Sequence, residues 1–378
     1  MTKEPRANIT DRRYRVYTYQ DVDRVPDVEF GYWPQTVRRW LKEGLSIELS
    51  PEEINSMFSA KVNRHFGFDG EGCGINLRVG MYPPFEEEVI ERKEHSVIMR
   101  DAGGCLAESY PHDEEESSIP HFIDFPVKTP GDWATMKERY RNDGAYREIP
   151  SDHQAAVIAA AQRGTSVSAF SVGMYGQLRQ WMGFENLSYA FYECPDMIHD
   201  MVDHWSRHIT LQIERLDPEV PIDEFSWWED MAGKNGPFVG PDMFREFLQP
   251  GYHRVMETAR KRGCVLGCVD SDGDPHDIAR NWLEEGVNII LPFERAAGCD
   301  PLAWRREFGK ALRIQGGIDK RLLVECGGAL DRELDRLKPL LEEGGVIPHL
   351  DHLVPPDVSY TNFQRYLQKK RKLIGRDA

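Results

Sequence analysis

Residues 264–277, CVLGCVDSDGDPHD, decide how the rest of the chain is interpreted. The stretch begins as an apolar run typical of a buried strand, and it ends in three acids spaced two apart before a helical pattern. Parallel α/β barrels carry their chemistry on such strand ends. Because side chains alternate along an extended chain, Asp270 and Asp272 are expected to point to the same side. Asp274 has a simpler role, since an Asp before Pro275 is typical of a helix start.

Strand-like runs alternate with helical patterns throughout the second half of the chain. This order predicts parallel strands joined by right-handed crossovers, and we expect an α/β fold of the (β/α)8 TIM barrel type rather than an open sheet. The six runs are TSVSAFS (165–171), IDEFSWW (222–228), CVLGCV (264–269), VNIILP (287–292), ALRIQ (311–315) and GVIPHL (345–350).

The N-terminal third does not follow this alternation. Its first 30 residues are polar and charged, which favours an arm over the body, and two helix-like stretches follow. Three short strand-like runs between residues 86 and 109 predict a small antiparallel meander. We therefore expect residues 1–125 to be an N-terminal extension of arm, helices and meander packed on a barrel body of residues 126–378, all in one structural domain.

Composition restricts the classes of partner. The 378 residues include 63 Asp plus Glu against 47 Lys plus Arg, a formal net charge of −16. Such a surface repels phosphate backbones, so a nucleic-acid partner is not expected. The sequence has no apolar run long enough for a membrane span and no apolar signal segment at its start, and its seven cysteines are scattered. These features predict a cytoplasmic protein without a membrane partner.

Acids and one histidine follow the ends of the predicted strands. The alternative explanation is that loop ends are polar and cap the next helix. That alternative explains any one residue better than it explains the whole set, because barrel enzymes hold their sites on this rim. The sequence therefore predicts a catalytic group made of Glu229, Asp230, Asp270, Asp272 and His352.

Further residues near the same rim are candidates for the wall of a substrate pocket. Ordinary packing is the alternative for the aromatic ones. The lysine lies in a glycine-flanked loop, where it could hold an anionic substrate group or pair with an acid, and the sequence leaves both open. The predicted substrate-binding residues are Met174, Tyr175, Arg179, Trp228, Lys234 and Glu294.

With these residues identified, the chain resembles the uroporphyrinogen decarboxylase superfamily, particularly its decarboxylase-like members related to corrinoid-dependent methyltransferases. The resemblance covers most of the chain from about residue 120 to the C-terminus. It implies a (β/α)8 barrel with its cavity at the strand C-termini. The matching stretches are FPVKTPGDW (125–133), WEDMAGKNGPFVGPDMFREFLQPGYHRV (228–255), VDSDGD (269–274), GGIDKR (316–321) and HLDHLVPPDVS (349–359).

The resemblance also implies a metal site. The methyltransferase relatives bind zinc through a His-x-Cys pair after one strand and a Cys after the last. In this chain those positions fall on Asp270, Asp272 and the neighbourhood of His352. Oxygen and nitrogen ligands would thus replace thiolates around a divalent metal, zinc being the first choice, with Glu229 as the candidate fourth ligand. Without a metal, the same groups would serve as general acid and base.

Three functions remain open at this point. The first is a metal-assisted methyltransferase that demethylates a small O- or N-methylated substrate and passes the methyl group to a corrinoid carried by a partner protein; the resemblance also makes a homodimer plausible. The second is a decarboxylase of a porphyrinogen or another carboxylated substrate. It is disfavoured because Arg12-Arg13 and Arg38-Arg39 lack the Gly-Arg-Tyr context of the family's substrate-binding signature. The third is a non-catalytic binding barrel.

Overall fold

Seven parallel strands form the central sheet of the computed structural model, which describes residues 3–70, 72–110 and 120–376. Six of these strands coincide with the six predicted runs, because each run is a local, mostly apolar stretch bounded by turn residues. The seventh comes from the N-terminal extension. The sheet strands are β1 (Cys73–Ile75), β6 (Val167–Val172), β7 (Glu224–Trp228), β10 (Leu266–Asp270), β11 (Val287–Leu291), β12 (Arg313–Gln315) and β13 (Val346–Ile347).

The order of these strands in the sheet is β1-β6-β7-β10-β11-β12-β13, which follows the chain. The prediction of an α/β fold with parallel strands is confirmed. A closed eight-stranded barrel is not confirmed, since β1 and β13 form the two edges and do not pair with each other in the described part of the chain. Both edge strands are weak: β13 has two residues, and β1 contains Gly74.

The predicted antiparallel meander is present and has a fourth strand. Its strands pair in chain order, and the added strand, His121–Asp124, follows a stretch of sequence rich in acids that does not resemble a strand. A two-stranded hairpin, β8 and β9, follows the end of β7. The bounds are β2 (Glu88–Arg92), β3 (Val97–Arg100), β4 (Leu106–Ser109), β5 (His121–Asp124), β8 (Ala232–Gly233) and β9 (Gly236–Pro237).

Helices connect the strands of the central sheet and supply most of the apolar core around it. Several begin at side-chain caps; Thr129, for example, forms a reciprocal capping box with Asp132 at the start of the helix Pro130–Lys137. The described α-helices are α1 (Arg12–Tyr17), α2 (Pro34–Lys42), α3 (Pro51–Asn55), α4 (Ala60–Phe66), α5 (Pro130–Lys137), α6 (Ser151–Gln162), α7 (Met174–Met182), α8 (Phe184–Glu193), α9 (Pro195–Glu214), α10 (Pro241–Met243), α11 (Gln249–Arg260), α12 (His276–Glu285), α13 (Pro301–Phe308), α14 (Gly328–Glu343) and α15 (Tyr360–Leu373).

The N-terminal helix α1 contacts strands from both halves of the sheet. Arg13 donates hydrogen bonds to Glu224 at the start of β7 and to Gln315 at the end of β12, each at 2.6 Å. Tyr17 also donates to Gln315, at 2.9 Å. Helix α1 is therefore held against the central sheet by these hydrogen bonds. None of the described helices combines the length and the apolar character that crossing a membrane requires.

Candidate active site

Three side chains from different loops come together beyond the C-terminal ends of the sheet strands. Asp272 follows β10, Glu294 follows β11 and His352 follows β13. One potential ligand atom of each lies within 4.8 Å of the others, and His352 Nε2 is 3.3 Å from Asp272 Oδ2. We call this trio the mouth cluster. Its atoms meet because parallel strands deliver all their following loops to one edge of the sheet.

Asp270 lies beside the mouth cluster, at the last position of β10. Burial, together with the neighbouring carboxylates of Asp272 and Asp230, raises the pKa of Asp270 well above its usual value. In the described part of the chain, no hydrogen bond or ion pair reaches its carboxyl group. This shift favours the protonated form of the Asp270 carboxyl group.

Asp230, the residue after Glu229 on the β7 side, completes this group of acids. Its Oδ1 accepts the Asp272 backbone N–H at 3.3 Å, and Arg179 lies 3.6 Å from its Oδ2. Burial is the main cause that raises the pKa of Asp230, and the charge of Asp272 adds to it. Arg179 opposes this shift and also stacks on Trp228, with its guanidinium carbon 5.2 Å from the ring centroid.

A cavity of about 240 Å³ lies between α1 and the central sheet, and Asp270 is one of its lining residues. Its floor is the ion pair of Arg13 with Glu224. The ring of Phe170 lines it and is 56% exposed, which is unusual for an aromatic residue in the middle of a parallel sheet. The remaining polar lining residues are uncharged, so the cavity presents no unpaired cation from the described residues. The main uncharged polar lining residues are Ser166, Ser168, Ser226 and Gln315.

Glu229 does not join the mouth cluster. Its two carboxylate oxygens accept the backbone N–H groups of Tyr175 (2.7 Å) and Gly176 (3.2 Å) at the start of α7, and the residue is fully buried. Burial raises the pKa of Glu229 to about 7, although both N–H donors favour its ionised form. Gly173 makes room for it, because a Cβ there would overlap the carboxylate. The predicted role of Glu229 as a fourth metal ligand is therefore replaced by helix capping.

Comparisons with known proteins agree with the resemblance seen in the sequence. Over 181 residues the chain is 24% identical to the uroporphyrinogen decarboxylase of Phenylobacterium zucineum, covering 47% of this chain and 48% of that protein. Over 146 residues it is 24% identical to the uroporphyrinogen decarboxylase of Sinorhizobium fredii, covering 36% and 39%. The matched region spans about half of these curated relatives or less. No family model matches the chain.

A solved structure extends the comparison to the whole fold. A methyltransferase from Methanosarcina mazei superposes with a TM-score of 0.54 at 13% sequence identity, covering 96% of this chain and 97% of that one. At this identity the likeness establishes the fold alone. The chain is thus similar in sequence, over about half its length or less, to uroporphyrinogen decarboxylases, and similar in fold to this methyltransferase.

The predicted pocket residues occupy different environments. Met174 and Tyr175 are fully buried in the core, so they do not form a free pocket wall. Lys234 is exposed at the turn between β8 and β9. Arg179 and Trp228 do lie at the mouth, where Arg179 contacts both Asp230 and the Trp228 ring. Glu294, predicted to bind substrate, instead belongs to the mouth cluster.

Sequence reasoning missed three side chains around the mouth cluster. Lys320 Nζ lies 3.8 Å from Glu294 Oε1, and its position in the GGIDKR stretch was the signal available for it. The rings of Phe30 and Trp33 lie 5.4 Å and 6.4 Å from the His352 ring, measured between centroids. No local pattern indicates these two contacts, because they join segments more than 300 residues apart. They shield the imidazole from solvent.

Proposed function

We propose that this chain is a metal-dependent methyltransferase that demethylates a small O- or N-methylated substrate and passes the methyl group to a corrinoid held by a partner protein. The observation that carries this proposal is the mouth cluster, in which Asp272, Glu294 and His352 converge next to a cavity that contains an unpaired acid. The proposal includes a (β/α)8 barrel whose edge strands β1 and β13 face each other, a cytoplasmic location and a homodimer.

The donor set of the mouth cluster fits a divalent cation. Two carboxylates and one imidazole suit zinc, manganese or iron, and zinc is our first choice. Lys320 Nζ lies 3.8 Å from Glu294 Oε1, so it would compete with a metal ion for this carboxylate. A bound divalent ion would act as a Lewis acid on the substrate heteroatom. Asp272, Glu294 and His352 would hold it.

The protein's own groups account for the remaining requirements of the reaction. When a methyl group leaves an oxygen or a neutral nitrogen, that heteroatom must take up a proton. Asp270 lines the cavity, and its raised pKa favours the protonated form, which would supply this proton to a substrate lying there. Asp230, whose pKa is also raised by burial, would be the second acid available for proton transfer, and Arg179 opposes this shift.

Methyl transfer to free cobalamin tests the proposal. Zinc-loaded protein is mixed with cob(I)alamin and a panel of small methyl ethers and methylamines, and methylcobalamin is followed by its visible spectrum. Wild-type protein is expected to form methylcobalamin with at least one substrate, and His352→Ala is expected to lose this activity. Activity that persists unchanged in His352→Ala would contradict the proposed site.

The second candidate function is decarboxylation, which the names of the curated relatives favour. Asp270 could protonate the carbon left by the departing carbon dioxide. Size and charge argue against a porphyrinogen. The cavity of about 240 Å³ is smaller than the range of about 300–1,000 Å³ found for drug-sized ligands, and it offers no unpaired cation from the described residues for a carboxylate. We therefore expect uroporphyrinogen to remain unconverted, as measured by chromatography of coproporphyrinogen.

A further inference from the structure

Asp351 is a buried carboxylate next to the mouth cluster, where it contacts the backbone of two other loops. It is 1% exposed, and each of its oxygens is engaged by a different loop. Oδ2 accepts the backbone N–H of Arg295 at 2.8 Å, and Oδ1 accepts the backbone N–H of Lys320 at 2.9 Å. A single side chain therefore joins the loops that follow β11, β12 and β13.

Each of the three residues in these contacts either has its side chain at the mouth or is next in sequence to a residue that does. Arg295 follows Glu294 directly, Lys320 carries the ammonium that approaches Glu294, and Asp351 itself precedes His352. Two backbone hydrogen bonds also connect the loops that follow β12 and β13. Asp351 N–H donates to the Ile318 carbonyl at 2.8 Å, and Ile318 N–H donates to the His349 carbonyl at 3.0 Å.

Glu294 extends this network to the fourth loop. Its Oε2 accepts the Gly273 N–H at 2.9 Å, directly after Asp272. The loops that carry all three members of the mouth cluster are thus connected through hydrogen bonds to either Asp351 or Glu294. Outer groups that orient metal ligands commonly act in this way, and their loss weakens metal affinity by about 10- to 100-fold.

We propose that Asp351 is a positioning residue that sets the spacing between Glu294 and His352 and so determines the affinity of the mouth cluster for a divalent cation. This inference rests on the proposed function for the metal. Asp351 itself stays outside the cluster, because both of its oxygens are occupied by backbone donors. Its effect passes through the loops that it joins.

The test compares Asp351→Asn with Asp223→Asn. Asparagine keeps the size of the side chain but turns one acceptor into a donor, which faces a backbone N–H. Asp223 is the matched control, since it is a buried carboxylate that accepts the Val167 N–H at 2.7 Å and pairs with Arg6, near the opposite ends of the strands. Zinc affinity is measured by calorimetry on full-length protein stripped of metal. The ring signals of isotope-labelled histidine are measured by NMR on the same metal-free samples.

Asp351→Asn is expected to weaken zinc binding by about 10- to 100-fold and to shift the His352 ring signals, while Asp223→Asn does neither. Wild-type affinity and unshifted signals in Asp351→Asn would overturn the proposal, and so would equal losses in both variants. If wild-type protein binds no zinc, the proposed metal role fails. In that case a His352 shift specific to Asp351→Asn still supports positioning, and its absence refutes it.

Discussion

Replacing Glu229 by glutamine should change how the stability of the protein depends on pH. The buried carboxyl has a pKa of about 7 against an ordinary value of 4.5. Because the folded-state pKa is raised, folding disfavours the ionised form. The penalty is absent while the group is protonated in both states, grows as pH rises above 4.5, and is complete above about 7.

The size of the effect follows from the two pKa values. Each tenfold change in proton affinity corresponds to about 1.4 kcal/mol, so the full penalty is about 3 kcal/mol. Between about pH 5 and about pH 8, about 2.5 kcal/mol of it should appear. Glutamine cannot ionise, so Glu229→Gln removes this part of the pH dependence. The variant also loses one acceptor for the N–H groups of Tyr175 and Gly176, but that cost is present at both pH values.

Urea denaturation followed by tryptophan fluorescence measures the difference. Relative to wild type, Glu229→Gln is expected to gain about 2.5 kcal/mol in the free energy of unfolding between about pH 5 and about pH 8. Asp23→Asn is the control, because hydrogen bonding from Arg12 lowers the pKa of Asp23 to about 2, outside this window. The reasoning is refuted if Glu229→Gln shows the same difference from wild type at both pH values.

Two further substitutions test buried contacts. Gly173→Ala places a Cβ against the Glu229 carboxylate and should lower the free energy of unfolding by about 1–3 kcal/mol in the same urea titration. Gly240 is the control, since it precedes α10 in the same way but has open space around it, so Gly240→Ala should have little effect. Equal effects of the two substitutions would contradict the predicted clash at Gly173. Lys370→Met removes a buried ammonium 2.9 Å from Asp27 and 2.5 Å from Glu29. Asp27 keeps its ion pairs with Arg371 and Arg376, but the buried Glu29 loses its cation, which should cost about 3–5 kcal/mol; an unchanged urea midpoint would show that this ion pair is not needed.

The sequence predicted the parallel strands well because their signal is local. The runs at β6, β7, β10 and β11 are rich in apolar and β-branched or aromatic residues and end in turn residues or acids. It did not predict β1, whose three residues include a glycine and bury only Ile75 fully. Pairing of β1 with β6 is a contact across about 90 residues of chain, and no local pattern encodes it.

The sequence predicted which loops would lie together at the C-terminal edge of the sheet. Asp272 and His352 were expected to meet, and the structure places them 3.3 Å apart, because loops after parallel strands share one edge. The direction of each side chain was not predictable. Glu229 points to the backbone of α7 instead of the mouth, and Asp270 lines the cavity, while Glu294 takes the place beside His352.

Metal binding by the mouth cluster is the most direct test of the central claim. Protein purified without a metal-affinity column is analysed for metal by mass spectrometry, and zinc affinity is measured for wild type, Asp272→Ala, Glu294→Ala and His352→Ala. His199→Ala is the control, since His199 also lies 3.8 Å from a carboxylate, Glu246, but on the outer surface. The account predicts one zinc per chain in wild type and in the control, and strong loss in the three cluster variants. Wild-type protein that binds no divalent metal, or cluster variants that bind it as tightly as wild type, would contradict the account.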